Sequence, residues 1–477
     1  MFRKKNQVCL GLFAFALAWA VFMFGSVTGG PRVIAGILAG MTGLVTLCLL
    51  EKERKMPPVP IILWVCIFVL VVFGWYMTIN ARADHSMALW IFVPVEGRPL
   101  NFDWAPGSVA LSSSLRVVIE VTLVLIALVA AVRTAESGAW RAVLKTIAIF
   151  GALVALTGFL HKALGARTVW WIDDELSRAG FFFAPFVYHA NAGAFLNLCL
   201  PIAIGLSLSE GDSKKGRSWA MVWMLISVLL IAAVFATASK GAMAILVVLL
   251  PFIFVLNFKR MAVVVGGFFL DRRRRVERMA FVVILWMTGI VFVALGIESS
   301  LDRLDEFMSR FDDDQRESLN GRVPMMQLML RMIRPDEGSW HGFGPGSFPH
   351  LVPYFTATQE TGEKAVLSGR WLHGHSDPLQ TIVEWGYLGA AAWFLIGVGA
   401  VFCAIYLLKG SKVSRQDLPL VRGMIVALVM VGLHSCVDFP LSLLSIQLVA
   451  LLMCGICWGL FGVYRRERKK EKALAGE

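Results

Sequence analysis

The sequence predicts an all-α polytopic membrane protein with about twelve transmembrane helices. Three observations predict it. Hydrophobic residues make up 57% of the 477 positions and charged residues only 16%, at a mean hydropathy of +0.70. A soluble chain of this length covers its surface with more charge than that. The apolar residues gather in stretches of roughly 17–25 residues, the length at which a helix crosses a bilayer. The segments between the stretches alternate between strongly basic and not. Abundant aromatics (Phe 33, Trp 16) and the lack of any Gly or Pro period exclude disordered and fibrous classes.

The apolar stretches lie near 8–28, 33–50, 59–79, 116–132, 142–162, 191–208, 218–237, 241–257, 279–297, 383–408, 418–437 and 441–463. Arg3, Lys4 and Lys5 precede the first, which places the N-terminus inside. Alternating from there, the inner segments hold most of the 45 Lys and Arg, among them Arg272 to Arg275 and the tail from Arg465 to Lys472. Both termini are then cytoplasmic. The net charge of +12 is therefore a topology signal, and a nucleic-acid partner is excluded. The stretch Met261 to Leu270 is too short to span and reads as an interfacial or re-entrant piece. The first stretch is kept as a helix, because no A-x-A-like cleavage site follows it.

The chain thus divides into residues 1–297 with helices one to nine, a large outward loop at 298–382, and residues 383–477 with helices ten to twelve and a basic tail. The loop carries thirteen acidic and eight basic residues, whereas every inner segment is basic. Loops of this length are usually functional, so the active face is outward. All eight cysteines fall in or at the ends of apolar stretches, so no disulfide framework holds the loop. Cys454-x-x-Cys457 sits mid-span without a nearby His or acid and reads as two packed small hydrophobes.

Within the loop, Gly321 to Arg334 reads as an amphipathic helix capped by Asn320 or Ser318 and stopped by Pro335. Met325, Met329, Met332 and Ile333 form its apolar face, lying on the membrane surface or under the loop. Arg322 at the start of that helix reads as an anion site beside free backbone N–H groups, or as a salt-bridged arginine. His341 to Phe348 places Gly342, Gly344 and Gly346 in alternation, which calls for a tight turn with close backbone approach. A dinucleotide fingerprint is excluded there, since neither the strand nor the helix it needs is present.

His373, His375, Asp377 and Glu384 gather where the loop enters the tenth helix. A histidine with a carboxylate to orient it suits general-base work. Chelation of zinc by His373, His375 and Asp377, or a hydrogen-bonded structural cluster, are the competing readings. Lys240, in Thr237-Ala238-Ser239-Lys240-Gly241, falls at an outward hinge where an ammonium can meet a phosphate or simply snorkel. His434 and Asp438 are four apart and can pair with each other, and Glu120 has no evident partner. Asp312 to Asp314 reads as an exposed acidic turn.

These pieces, in this order, resemble the O-antigen ligase and polymerase superfamily of bacterial envelope proteins. Gly180 to Phe183 with Asn191 is similar to the family's Gly-Phe-rich entry to a mid-chain helix. Ser239-Lys240-Gly241 is similar to its Ser-Arg-Gly hinge, with Lys in place of Arg. Arg322 followed by a helix and the Gly342–Phe348 turn matches its arginine and Gly-x-Gly-x-x-x-Phe turn. His375-Ser376-Asp377-Pro378-Leu379-Gln380 with Glu384 and Gly386 is close to its His-Asn-x-x-Leu-Gln-x-x-x-Glu-x-Gly, with Ser376 in place of Asn. The Asp438-Phe439-Pro440 stretch is also similar.

The resemblance implies a GT-C-like helical fold in the bacterial inner membrane. It implies transfer of a glycan from undecaprenyl diphosphate to a lipid or glycan acceptor at the periplasmic face, by one inverting displacement, with no cofactor and no metal. Carried over by motif, His375 and Arg322 are catalytic. Lys240, Asn191, Ser239, Gly344, Gly346, His373, Asp377 and Glu384 are substrate-binding. Ligase, polymerase and protein O-glycosylating relatives share these expectations. The rival from a different class, a solute transporter, calls for two similar halves, which the sequence lacks.

Overall fold

The computed structural model describes residues 2–27, 29–50, 59–86, 91–97, 104–172, 182–211, 217–270, 314–334, 340–357, 371–409 and 412–475, with isolated positions between them. Most of the ninth stretch, together with Asp312 and Asp313, lies outside the described residues. Eleven described helices are long and apolar enough to cross a membrane, and they coincide with the other eleven stretches.

In chain order the helices are α1 (Phe2–Phe22), α2 (Gly29–Leu50), α3 (Ile61–Ile79), α4 (Leu111–Ser137), α5 (Trp140–Ala163), α6 (His189–Glu210), α7 (Arg217–Ala236) and α8 (Lys240–Leu270). Then come α9 (Asp314–Met332), α10 (Phe348–Ala357), α11 (Asp377–Leu408), α12 (Leu418–Ser435) and α13 (Leu444–Ala475). A small antiparallel hairpin, β1 (Ala83–Ser86) with β2 (Ile91–Pro94), interrupts the helices before α4. The sequence did not reveal it, since four-residue strands carry little periodicity.

α6 is buried along nearly its whole length, so it is the inner post of the bundle. Its small residues, from Ala190 to Ala194, let neighbours approach closely. At the α6–α12 crossing, a Cβ on Gly205 would press on the Pro419 carbonyl at 2.8 Å, and one on Gly423 would press on the Pro201 carbonyl. That contact fixes α12 against α6 and so sets where the chain beyond Ser435 emerges. Cys454 and Cys457 are buried free thiols, with Cys457 Sγ 3.9 Å from Met424 Sδ, which is packing.

Three boundaries differ from the sequence reading. Met261 to Leu270 is no separate interfacial piece, because α8 runs unbroken from Lys240 to Leu270. α9 begins at Asp314, seven residues before Gly321, so neither Ser318 nor Asn320 caps it. α11 begins at Asp377 and passes through a break at Gly386 (φ 63°, ψ −177°). Its first turns stand above the long apolar run that defined the tenth span.

Candidate active site

The apolar face of α9 turns onto α10 and α11. Met325, Leu328, Met329 and Met332 pack with Phe348, Leu351 and Val352 of α10 and with Val383 of α11. This second core holds Arg322 on the side of α9 that faces the turn following α12. Arg322 therefore sits inside the helix, and the reading of a guanidinium beside free N–H groups at a helix start is corrected. Its partners are side chains and a carbonyl. Nη2 lies 3.7 Å from Asp438 Oδ2 and 3.4 Å from the Tyr188 hydroxyl, and Nη1 donates to the Val437 carbonyl at 3.4 Å. These contacts are long, and the side chain is 36% exposed.

Asp438 is the hub. Its Oδ1 accepts from His375 Nδ1 at 3.2 Å and from the Phe439 N–H at 3.0 Å, and its side chain is only 4% exposed. Burial pushes the Asp438 carboxyl up, but the hydrogen bond and charge of His375, with Arg322 and His434, outweigh that and hold it below the usual carboxylate range. An ionised Asp438 receiving the Nδ1 proton leaves the His375 Nε2 lone pair available to accept. His375 itself has φ 52°, an uncommon conformation for a residue with a Cβ and one found at functional positions. His434 does not pair with Asp438 through its ring. The link between them is the Asp438 N–H donating to the His434 carbonyl at 3.0 Å.

Phe439 is the aromatic floor. His373 stacks on it at 4.3 Å, Tyr188 lies parallel to it at 5.7 Å, and His375 meets it edge-on at 5.0 Å. His373 is thereby half-buried, and the lost hydration of its ring pushes its pKa down to about 3, with the charges of Arg32 and His375 adding to the effect. Burial likewise raises the Tyr188 hydroxyl to about 12, so it stays a neutral donor and acceptor beside Arg322.

A relay of hydrogen bonds sets the loop that carries His375. The Gly374 N–H donates to Gln380 Oε1 at 2.9 Å, Gln380 Nε2 donates to Glu384 Oε1 at 3.1 Å, and the Gly346 N–H donates to Glu384 Oε2 at 2.9 Å. The glycine turn is thus bound to α11. The break at Gly386 frees the Val383 and Glu384 carbonyls, which accept from Phe343 at 2.9 Å and Gly344 at 3.0 Å. Gly342, Gly344 and Gly346 all have positive φ, and a Cβ on Gly342 would collide with the backbone of Glu384 and Gly386. The close approach expected of this turn is to the protein's own backbone.

Asp377 points at the turn after α12. Its carboxylate accepts from the Leu441 N–H at 2.7 Å and the Ser442 hydroxyl at 2.6 Å. With Asp377 on Ser442 and His375 Nδ1 on Asp438, the zinc-chelate reading is corrected: His373, His375 and Asp377 do not converge on a common point. No group of three metal-ligating side chains occurs among the described residues. Glu120, partnerless in the sequence, receives a two-bond fork from Arg32 at 2.7 and 2.7 Å.

The α7–α8 hinge packs against the start of α6. Ser239 caps α8 by accepting from the Ala242 N–H at 3.3 Å, and His189 Nδ1 lies 2.8 Å from the Thr237 carbonyl. Asn191 is buried in that contact with its Oδ1 unbonded, and Gly241 lies 3.6 Å from His434 Nε2 if given a Cβ. Lys240 is exposed at the head of α8. The structure therefore joins His375, Asp438, Arg322 and Tyr188 directly, sets the hinge one helix turn away along α12, and uses Glu384, Asp377, Gly344 and Gly346 as internal supports.

The stretch that contains Lys240, Arg322, the glycine turn, His375 and Glu384 also carries a family signature. Residues 225–394 match the family model described as O-antigen ligase. That segment is similar to the O-antigen ligase superfamily. No curated protein matches the chain. The superfamily is one of membrane glycosyl-transfer enzymes of ligase and polymerase type. Three parts of the site fall outside the matched segment, Tyr188, Asp438 and Phe439. Asp438 appeared in the sequence only as a possible partner of His434 and beside a family-like Asp-Phe-Pro. Tyr188 and Arg32 carried no sequence signal, because their partners Arg322 and Glu120 lie 134 and 88 positions away.

Proposed function

We propose that the chain transfers a glycan from an undecaprenyl-diphosphate carrier to an acceptor hydroxyl at the outward end of the bundle. The observation that carries this reading is the single buried carboxylate of Asp438 shared by His375 and Arg322. His375 Nε2 takes the acceptor proton as the acceptor oxygen bonds to the anomeric carbon. The bond from that carbon to the diphosphate breaks in the same displacement, with inversion. The diphosphate leaves with its negative charge, and Arg322 and Lys240 meet that charge. Asp438 fixes the His375 tautomer and stabilises the imidazolium that forms. Glu384, Gln380 and Asp377 hold the loop in place and do not touch substrate.

On this reading the acceptor is a lipid-anchored core, as for a ligase, and the working face is periplasmic in a bacterial inner membrane. Complementation of a deletion strain, read on a gel of surface polysaccharide, tests it. Wild type should restore a glycan species that His375→Ala does not restore at equal protein level. Lipid-linked polymer accumulating in the deletion identifies a ligase, while collapse to a single repeat unit identifies a polymerase. An unchanged glycan profile in the deletion strain would sink the transferase reading.

A further inference from the structure

The bundle end opposite His375 holds a second concentration of cations. α8 and α12 run antiparallel: Gly241 of α8 neighbours His434 of α12 at the site end, and their other ends meet roughly 27 Å away, the length of the 18-residue α12. There they enclose a cleft of about 890 Å³. Four cations line it, Lys259, Arg260, Arg415 and Arg422, together with apolar walls that include Phe254 and Phe258. No acid lines it.

Two described acids on neighbouring elements, Asp417 and Glu210, are already committed. Asp417 receives a two-bond fork from Arg141 at 2.6 and 2.6 Å and a bond from Ser414. Glu210 is paired with Lys145 and bonded by Trp223. Arg422, within a membrane-crossing helix, reaches only the neutral Asn257 Oδ1 at 3.3 Å. Lys259 and Arg415 form no ion pair among the described residues. Lys259, Arg415 and Arg422 thus gather at a membrane boundary with no ion pair among the described residues, which is costly unless an anion joins them.

The walls identify the anion's source. Phe254, Val255, Phe258 and Val263 are all exposed, so the cleft opens sideways onto the acyl chains and not only to water. A soluble anion gains nothing from such walls, whereas a phospholipid places its phosphate on the cations and its chains along the phenylalanines. We propose that this cleft binds an anionic phospholipid at the α8–α12 end. The proposal is independent of the transfer reaction.

Native mass spectrometry of the full-length protein in detergent tests it, titrating phosphatidylglycerol and, separately, phosphatidylcholine of the same chains. Wild type should retain phosphatidylglycerol in preference. Lys259→Gln with Arg415→Gln removes two exposed, unpaired charges, so the fold does not depend on them. This pair should lower phosphatidylglycerol occupancy roughly tenfold and leave phosphatidylcholine unchanged. Lys469→Gln with Lys470→Gln, an equal charge loss in the tail, should change it less than about twofold. Equal losses in both variants would reduce the effect to general electrostatics and overturn the site. Displacement of the lipid by equimolar inorganic pyrophosphate would assign the cations to a soluble anion and overturn it as well. Arg422→Gln, which also loses the Asn257 contact, should deepen the first loss.

Discussion

Two arginine–carboxylate pairs flank the turn that follows α12, and they are built for different ends. Arg32 grips Glu120 with two bonds of 2.7 Å and donates onward to the Val27 and Ser442 carbonyls. Four of its five N–H groups are used within the protein. Arg322 reaches Asp438 only at 3.7 Å, with two further contacts of 3.4 Å, and stays partly exposed. A saturated guanidinium braces structure, while one held by long contacts keeps donors for an incoming diphosphate. Burial and saturation together, more than charge, separate the supporting arginine from the one proposed to meet substrate.

The sharpest way to break this contrast is to remove each arginine system in turn. Arg322→Ala should cut glycan transfer about a hundred- to a thousandfold, as loss of a charge-stabilising donor does elsewhere, with the melting temperature unchanged. A matched fall in both melting temperature and transfer would make Arg322 another brace. Glu120→Ala should do the converse. Leaving Arg32 without its counter-charge costs about 3–5 kcal/mol, seen as lost folded protein on fluorescence-detected size exclusion. Transfer per folded molecule should persist. If Glu120→Ala folds like wild type, the distinction between the two pairs collapses.

A smaller effect tests the aromatic floor between them. His373 has its pKa pushed down to about 3 by burial and by the Arg32 and His375 charges, against about 6.5 in an unfolded chain. Between those values the unfolded chain binds a proton that the folded one rejects. Stability is therefore complete above about pH 6.5 and falls as pH drops towards 3. His373→Phe keeps a ring to stack on Phe439 and removes the buried, unbonded Nδ1. Its melting temperature should vary less than wild type between pH 7 and pH 5, with transfer retained; abolished transfer would instead place His373 in contact with substrate. The smallest change expected is Lys240→Arg. It restores the guanidinium that the resembling family carries, and transfer rates in membranes should stay within about threefold, since charge at the hinge is conserved.

Much of this site was legible before the fold. His375 and Arg322 stood out by residue type and motif, and the glycine alternation announced a tight turn. What stayed hidden was direction. Nothing in the spacing says that Glu384 faces Gly346 while Asp377 faces Ser442, because both follow from the break at Gly386 and the earlier start of α11. Asp438 was paired in the sequence with His434, four positions away on one helix. The chain leaves the helix at Ser435, which turns the carboxylate towards His375 and Arg322.

By itself, the sequence determined the membrane class, eleven of the helical stretches that the structure describes, and the segment that carries most of the proposed site. Those depend on local apolar length and on charge between stretches, quantities that a linear chain carries in full. Only the tertiary structure decided which carboxylate serves which cation: Glu120 for Arg32 across 88 positions, and Asp438 for His375 across 63 and Arg322 across more than a hundred. The physical reason is that charged groups at a bundle end take whichever partner close helix packing brings within reach. The α6–α12 crossing that delivers Asp438 is set by contacts at Gly205 and Gly423, far in sequence from the residues it unites.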